Sequence, residues 1–300
     1  MDEKIIQEIT DIAGAGNVKK DEPMKLHVTM KVGGRAKLFI TPGSQEALAQ
    51  LLKVISKNSL PYYVIGNGSN VIVKDEGYDG IIICFDRNFS KIKVEGNIVT
   101  AQAGSLLKDI SEAAFENSLT GFEFASGIPG SAGGAAGMNA GAYGGEMKDI
   151  ITRVFALDPE GREVVFENSQ MDFGYRHSIC TENSYIITKV EYTLKKGDPE
   201  EIKARIDDLA QKRSLKQPLE YPSSGSTFKR PEGYFAGKLI MDSGLKGYTI
   251  GGAQVSEKHC GFVINKNNAK AADVLELIEY IKKTVYEKQG VKLECEVKIL

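Results

Sequence analysis

The stretch from Gly121 to Gly145, GFEFASGIPGSAGGAAGMNAGAYGG, holds nine of the chain's 32 glycines and six alanines in 25 residues. Glycine carries no Cβ, so another group can lie directly on the main chain. A flexible linker would be hydrophilic and rich in Gly and Ser. Here glycine is interleaved with Ala, Ile, Met and Phe. The segment is therefore expected to be packed and to bring backbone unusually close to a partner. A bound cofactor is the leading candidate, and a tightly packed internal turn is the other reading.

With 300 residues, 42% hydrophobic and 26% charged, the chain has the composition of a globular protein with two or three subdomains. A formal net charge of -2 leaves no basic surplus for a nucleic-acid or membrane partner held mainly by electrostatics. The N-terminus, MDEKIIQEITDIAGAG, is acidic where a signal peptide needs cations, and no apolar run approaches the ~18 residues of a membrane span. Cys84, Cys180, Cys260 and Cys295 lack CxxC spacing and read as reduced, mostly buried thiols. No HExxH or HxxxH pairing exists, so no catalytic metal is expected. A cytoplasmic location follows as an expectation.

Periodicity gives the organisation. Leu48, Leu51, Leu52 and Ile55 form one stripe of a helix over 44 to 57, with Ser44 able to cap it. Strands are predicted at KLFI (37 to 40), YYVI (62 to 65), GIIIC (80 to 84), IKV (92 to 94) and NIVTAQA (97 to 103), and a helix over 105 to 117. ITRVFALD and REVVFE flank the turn DPEG as a hairpin, and IITKVEYTL closes the β-rich middle. Beyond Lys195 come a charged helix (PEEIKARIDDLAQKR), a proline-broken loop, a helix from AGKLIMD and a long helix over 271 to 289 stopped by Gly290. The terminal VKLECEVKIL alternates and is predicted as a strand.

GNGSN, at Gly66, Asn67, Gly68, Ser69 and Asn70, is followed by the β-branched run VIV. It lies between two strands and opens no helix, which excludes a Rossmann fingerprint. Such a loop can form a nest of N–H groups for a diphosphate, or simply be a turn. Later, GIPGSAGG (127 to 134) and NAGAYGG (from Asn139) suit backbone that lies against a flat or extended ligand.

The strings YVIGNGSNVIV, SGIPGSAGGAAGMNAGAYGGE, YRHSI, SSGSTFKRP, GLKGYTIGGAQVSEKH and LECEV follow one another in order. In this the chain resembles, over nearly its whole length, the UDP-N-acetylenolpyruvoylglucosamine reductase (UDP-N-acetylmuramate dehydrogenase) family. The resemblance implies an α+β fold: an FAD-binding unit of the vanillyl-alcohol-oxidase type in two α+β subdomains, plus a third α+β substrate domain. The implied divisions are 1 to 80 with 290 to 300, 81 to 197, and 198 to 289. It implies non-covalent FAD, NADPH as co-substrate, and reduction of UDP-N-acetylglucosamine enolpyruvate in peptidoglycan precursor synthesis by a monomer.

Carried over residue by residue, the resemblance assigns the FAD diphosphate to Gly66, Asn67, Gly68, Ser69 and Asn70. It assigns the flavin and its linker to Ser126, Gly127, Ile128, Pro129, Gly130, Ser131, Gly133, Gly134, Ala135, Asn139, Gly141 and Ala142. Arg176 would hold the substrate carboxylate, Ser226 would donate the proton, and Glu296 would share the carboxylate site as a protonated acid. Lys216, Arg230 and Tyr248 would hold the uridine diphosphate, with Gln254, Ser256 and His259 lining or only shaping that pocket. Cys295 stands where the family more usually has proline, and there is no room after Arg176 for the extra loop of longer members, so the shorter subclass is implied. Two rival readings are another FAD oxidase or dehydrogenase of the same superfamily, and a non-catalytic UDP-sugar-binding protein on this scaffold.

Overall fold

The helix predicted from the Leu48 stripe forms as α2 (Gln45–Lys57), the second helix after α1 (Glu3–Ala13), in a computed structural model that describes residues 1–300. Ser44 caps α2 by accepting from the Ala47 N–H at 3.2 Å. Ile6 and Ile9 of α1 and Leu48, Leu51, Leu52 and Ile55 of α2 share one buried cluster with Leu38, Ile40, Ile81 and Ile83. Each such side chain contributes about 1.5–3 kcal/mol by leaving water.

Two units can be distinguished within the chain. The first comprises Met1–Lys20, Leu38–Asn67 and Gly80–Lys212, and the second Asp21–Lys37, Gly68–Asp79 and Arg213–Leu300. Strands Val18–Pro23, Arg35–Ile40, Tyr78–Cys84 and Tyr62–Ile65 form one sheet in that order. In it Tyr62–Ile65 runs parallel to Tyr78–Cys84, with Ile65 opposite Cys84.

The first unit also contains a five-stranded sheet in the order Glu163–Glu167, Ile151–Leu157, Ile186–Thr193, Ile98–Gln102, Ile92–Glu95. All its pairings are antiparallel. Val154 lies opposite both Phe166 and Val190, and Val190 lies opposite Ala101, so one face presents a row of buried apolar residues. The predicted DPEG hairpin closes as Asp158 and Arg162 pair, with 3.0 Å between the Asp158 N–H and the Arg162 carbonyl.

Helix α3 (Leu107–Glu116) buries Leu107, Ile110 and Ala114 in the same core. A further helix, α4 (Ala132–Gly137), has the sequence AGGAAG, which intrinsic propensity alone would not favour. It forms because the Ala132 and Gly133 N–H groups donate to the carbonyls of Ser105 and Ala103 at 2.8 and 2.9 Å. Gly133 is there for closeness, since a Cβ on it would stand 2.8 Å from the Ala103 Cβ.

Two more helices complete this part of the chain, α5 (Ile179–Glu182) and α6 (Pro199–Lys216). The latter is charged, with Glu200 and Glu201 in its first turn and Arg213 and Lys216 in its last, as the helix dipole favours.

In the second unit, α7 (Ala236–Asp242) and α8 (Ala271–Gln289) cover a small sheet of Thr249–Ile250, Ala253–Val255 and Val263–Asn265. Val274, Leu277, Ile278, Ile281 and Val285 of α8 are fully buried. Asp75 accepts from the first N–H groups of α8, those of Ala271 and Ala272, at 2.9 and 2.8 Å. Gly290 ends the helix in the left-handed conformation at φ 69°.

The predicted terminal strand is mostly absent, because its residues have two successive partners. Cys295 bridges Phe228 antiparallel, whereas Lys298–Ile299 runs parallel to Val71–Ile72, and no single ladder can continue through both. No helix is long and apolar enough to cross a membrane.

Gly133→Ala tests the seating of α4. On propensity it should stabilise by about 1 kcal/mol, but the clash with Ala103 should reverse the sign and cost about 1–3 kcal/mol. Urea unfolding monitored by circular dichroism reads the difference.

Candidate functional site

Within the first unit, the two glycine motifs are joined side by side. The Asn67 Nδ2 donates to the Pro129 carbonyl at 2.8 Å. A Cβ on Gly66 would stand 2.0 Å from the Ser131 Oγ, so only glycine allows this approach. Around that junction Asn67, Gly127, Pro129 and Gly134 are exposed, whereas Ser131 and Ala135 are buried. The result is a surface of main chain with few side chains standing on it, the kind of bed on which a flat, extended ligand can lie against amides. FAD fits this donor set by its chemistry. Cys84 Sγ lies 3.7 Å from the Gly66 carbonyl, and burial pushes its thiol up to about 12, as it does that of Cys180.

The second half of GNGSN belongs to the second unit. Gly68, at φ 60°, is required by the protein itself, because a Cβ there would meet the His27 carbonyl oxygen at 2.0 Å. The Gly68 carbonyl in turn accepts from the Thr29 N–H at 3.1 Å. Asn70 donates through Nδ2 to the Glu296 carbonyl at 3.2 Å, and its own carbonyl accepts from the Lys298 N–H at 3.0 Å. The two asparagine amides expected to face a diphosphate therefore each give one donor to the protein's main chain.

Arg176 is half-buried in a turn of the first unit. Gly174 and His177 exchange backbone hydrogen bonds of 3.2 and 3.3 Å, leaving Tyr175 and Arg176 at the tip, with Arg176 in the left-handed region at φ 57°. Its guanidinium carbon is 5.0 Å from the centre of the Tyr175 ring.

Gly141 and Ala142 pair with Glu146 and Gly145 in a tight hairpin. The Glu146 carboxyl is held below the usual carboxylate range by its hydrogen bond with Lys148, against partial desolvation, and further by Asn139 and the Arg176 charge. Asn139, assigned to the cofactor by resemblance, is 1% exposed. Both of its amide hydrogens go to protein acceptors, Glu146 Oε2 at 3.0 Å and the Gly174 carbonyl at 3.1 Å.

Ser226 and Glu296 come together in the second unit through the main chain. The Glu296 N–H donates to the carbonyl of Thr227, the neighbour of Ser226, at 2.9 Å. The SSGST loop is clamped on both sides of its tip. Ser224 Oγ donates to the Val71 carbonyl at 3.3 Å, the Thr227 N–H to the Gly261 carbonyl at 2.9 Å, and Thr227 Oγ1 accepts from the Val263 N–H at 3.1 Å. Ser224 and Thr227 are buried, and Ser226 projects exposed beyond Gly225.

Ser256 and His259 shape this region. The Ser256 hydroxyl accepts from the N–H groups of Lys258 and His259, and the His259 Nδ1 accepts from Gly261, whose carbonyl holds Thr227. Burial lowers the pKa of His259 below its ordinary value.

The three residues expected at the uridine diphosphate each have different neighbours. Lys216 is the exposed last residue of α6. Arg230 lies 4.0 Å over the Phe235 ring and donates to the Tyr234 carbonyl. Tyr248 stacks on Tyr280 at 4.6 Å, and a hydrogen bond with Tyr280 raises its pKa. Sequence reasoning missed Glu146, Gly174 and Ser178, which surround Asn139 and the Arg176 turn. Ser178 lies in YRHSI and Glu146 closes the string SGIPGSAGGAAGMNAGAYGGE, while Gly174 directly precedes YRHSI, but nothing in those motifs indicated a role for them.

Residues 36–167 match the FAD binding domain family, and residues 217–300 match the family described as UDP-N-acetylenolpyruvoylglucosamine reductase, C-terminal domain. A UDP-N-acetylenolpyruvoylglucosamine reductase of Clostridioides difficile (strain 630) is 52% identical over 292 residues, covering 97% of this chain and 96% of the relative. The crystal structure of UDP-N-acetylenolpyruvylglucosamine reductase from Thermus caldophilus superposes with a TM-score of 0.81 at 35% identity, covering 94% of this chain and 97% of that one. A grass pollen allergen with glucose dehydrogenase activity shares the fold alone, with a TM-score of 0.52 at 12% identity over 65% of this chain and 44% of its own. The fold is thus the α+β FAD-binding fold expected from the sequence, and the chain belongs to the UDP-N-acetylenolpyruvoylglucosamine reductase family of FAD-dependent oxidoreductases.

Proposed function

We propose that this chain reduces the enolpyruvyl group of UDP-N-acetylglucosamine enolpyruvate to the lactyl ether of UDP-N-acetylmuramate, with NADPH as reductant, as a cytoplasmic monomer in peptidoglycan precursor synthesis. The observation that carries the reading is the junction of Gly66 and Asn67 with Pro129 and Ser131, which leaves main chain open to a cofactor in a chain similar along its length to named reductases. When bound, FAD supplies the hydride relay from NADPH to the β-carbon of the enolpyruvyl group. The protein's residues must hold the substrate, stabilise the negative charge that then develops on the α-carbon and carboxylate, and deliver one proton.

Arg176 suits the carboxylate, because its planar fork can bind two oxygens and offset the growing charge. Ser226 suits the proton donor. A hydroxyl is a weak acid, but an enolate-like α-carbon is more basic still, and the clamped loop limits the positions its Oγ can take. Glu296 shares the carboxylate site as a hydrogen-bond donor, with its backbone fixed by Thr227 and Asn70. Lys216, Arg230 and Tyr248 are proposed for the uridine diphosphate, cations for the phosphates and a ring for the base.

Ser226→Ala should leave flavin reduction by NADPH within about twofold and slow flavin reoxidation by the enolpyruvyl substrate by at least about 100-fold, since only the second half needs the proton. Stopped-flow absorbance separates the two, and equal slowing of both would remove Ser226 from the role. Glu296→Gln should retain flavin and lose turnover by about 100-fold or more; full activity would end its assignment. Gly66→Ala should purify with less FAD per chain, read from the visible flavin absorbance, with part of the loss recovered in Gly66→Ala/Ser131→Gly. A protein that is bleached by a hydroxy acid and not by NADPH would instead be an oxidase or dehydrogenase of another substrate class.

A further inference from the structure

The glycine-rich run does more than offer open main chain, because its exit carries both feet of the Arg176 turn. Asn139 follows the C-terminal end of α4 in the left-handed conformation, at φ 43°, a place where asparagine is tolerated and glycine is at ease. Its Nδ2 donates to the Gly174 carbonyl at 3.1 Å and to Glu146 Oε2 at 3.0 Å, and its Oδ1 accepts from the Lys148 N–H at 2.9 Å. On the other side of the turn, Ser178, fully buried, donates from Oγ to the Gly137 carbonyl at 2.6 Å. Gly174 and Ser178 flank Tyr175, Arg176 and His177, so residues 137 to 139 grip the turn at both ends. A buried amide with both hydrogens committed in this way has no donor left for a ligand.

We propose that Asn139 is a positioning residue for Arg176, fixing the turn that carries the guanidinium to the end of α4, and is not a ligand of the cofactor. The proposal rests on the role given to Arg176 above. Its physical content is that the surface proposed for the flavin and the arginine proposed for the substrate carboxylate are parts of one hydrogen-bonded body. An error of about 1 Å in a positioning group costs on the order of 100-fold in rate, so the effect belongs in the half-reaction that uses Arg176.

The test uses purified holoenzyme and four variants: Asn139→Gly, Ser178→Ala, Arg176→Lys and Asn139→Gly/Arg176→Lys. Glycine keeps the left-handed backbone and removes only the amide. For Asn139→Gly, FAD per chain and the rate of flavin reduction by NADPH should stay within about threefold, while reoxidation by UDP-N-acetylglucosamine enolpyruvate falls by about 100-fold. Adding Asn139→Gly to Arg176→Lys should slow reoxidation by no more than about twofold further, because coupled residues are not additive. Hydrogen exchange across residues 172 to 178 should rise in Asn139→Gly without substrate.

Loss of FAD, equal slowing of both halves, or unchanged exchange would overturn the proposal. Should Asn139→Gly fail to fold, Ser178→Ala carries the same expectations for the other foot of the turn. Slow reoxidation in Arg176→Lys with a full further loss on adding Asn139→Gly overturns the positioning role alone. Unimpaired reoxidation in Arg176→Lys overturns both that role and the catalytic assignment of Arg176.

Discussion

Direct contact between main chain and its neighbours, without an intervening Cβ, is the constraint on which the first unit depends. At Gly133 it lets a helix of glycine and alanine rest on Ala103, and at Gly66 it brings one loop onto Ser131. Neither contact is strong by itself. Their effect is geometric, since both lie at the start of α4, while the residues at its other end hold the turn that carries Arg176. Placing a methyl group at either glycine would therefore disturb a chain of positions and not one contact.

The same economy of main chain governs the second unit. The SSGST loop and the terminal segment do not form a regular sheet, yet Glu296, Thr227, Gly261 and Asn70 are linked through a short series of backbone and amide hydrogen bonds. Irregular backbone of this kind persists only where its polar groups are satisfied. The serine and the glutamate thus sit on segments that are irregular in shape but fixed in place.

Much of this was legible beforehand, and for identifiable reasons. Helices α2 and α8 follow from the spacing of Leu48, Leu51 and Leu52, and of Val274, Leu277 and Ile281, because a 3.6-residue stripe is local information. The strand before and after GNGSN was equally plain from YYVI and VIV. The helix AGGAAG was not legible, since its stability comes from Ala103 and Ser105 and not from its own residues. The terminal strand failed because alternation says nothing about whether a single partner is at hand. Asn139 stood out in the motif, but its role depends on Gly174 and Glu146, and no local pattern reports where a side-chain amide points. Motif order pointed to the family; hydrogen bonding shows which residues of those motifs are tied to the protein's own main chain and side chains.

Asp75 caps a helix that begins roughly 200 residues later in the chain. Met30, Val32 and Ile72 likewise bury themselves among side chains from the last third of the sequence. During synthesis at about 5–20 residues per second, these early segments leave the ribosome many seconds before their partners exist. The nascent protein thus carries an unfinished apolar surface whose covering arrives only with the C-terminus, and any product truncated before α8 would expose it permanently to chaperones and proteases.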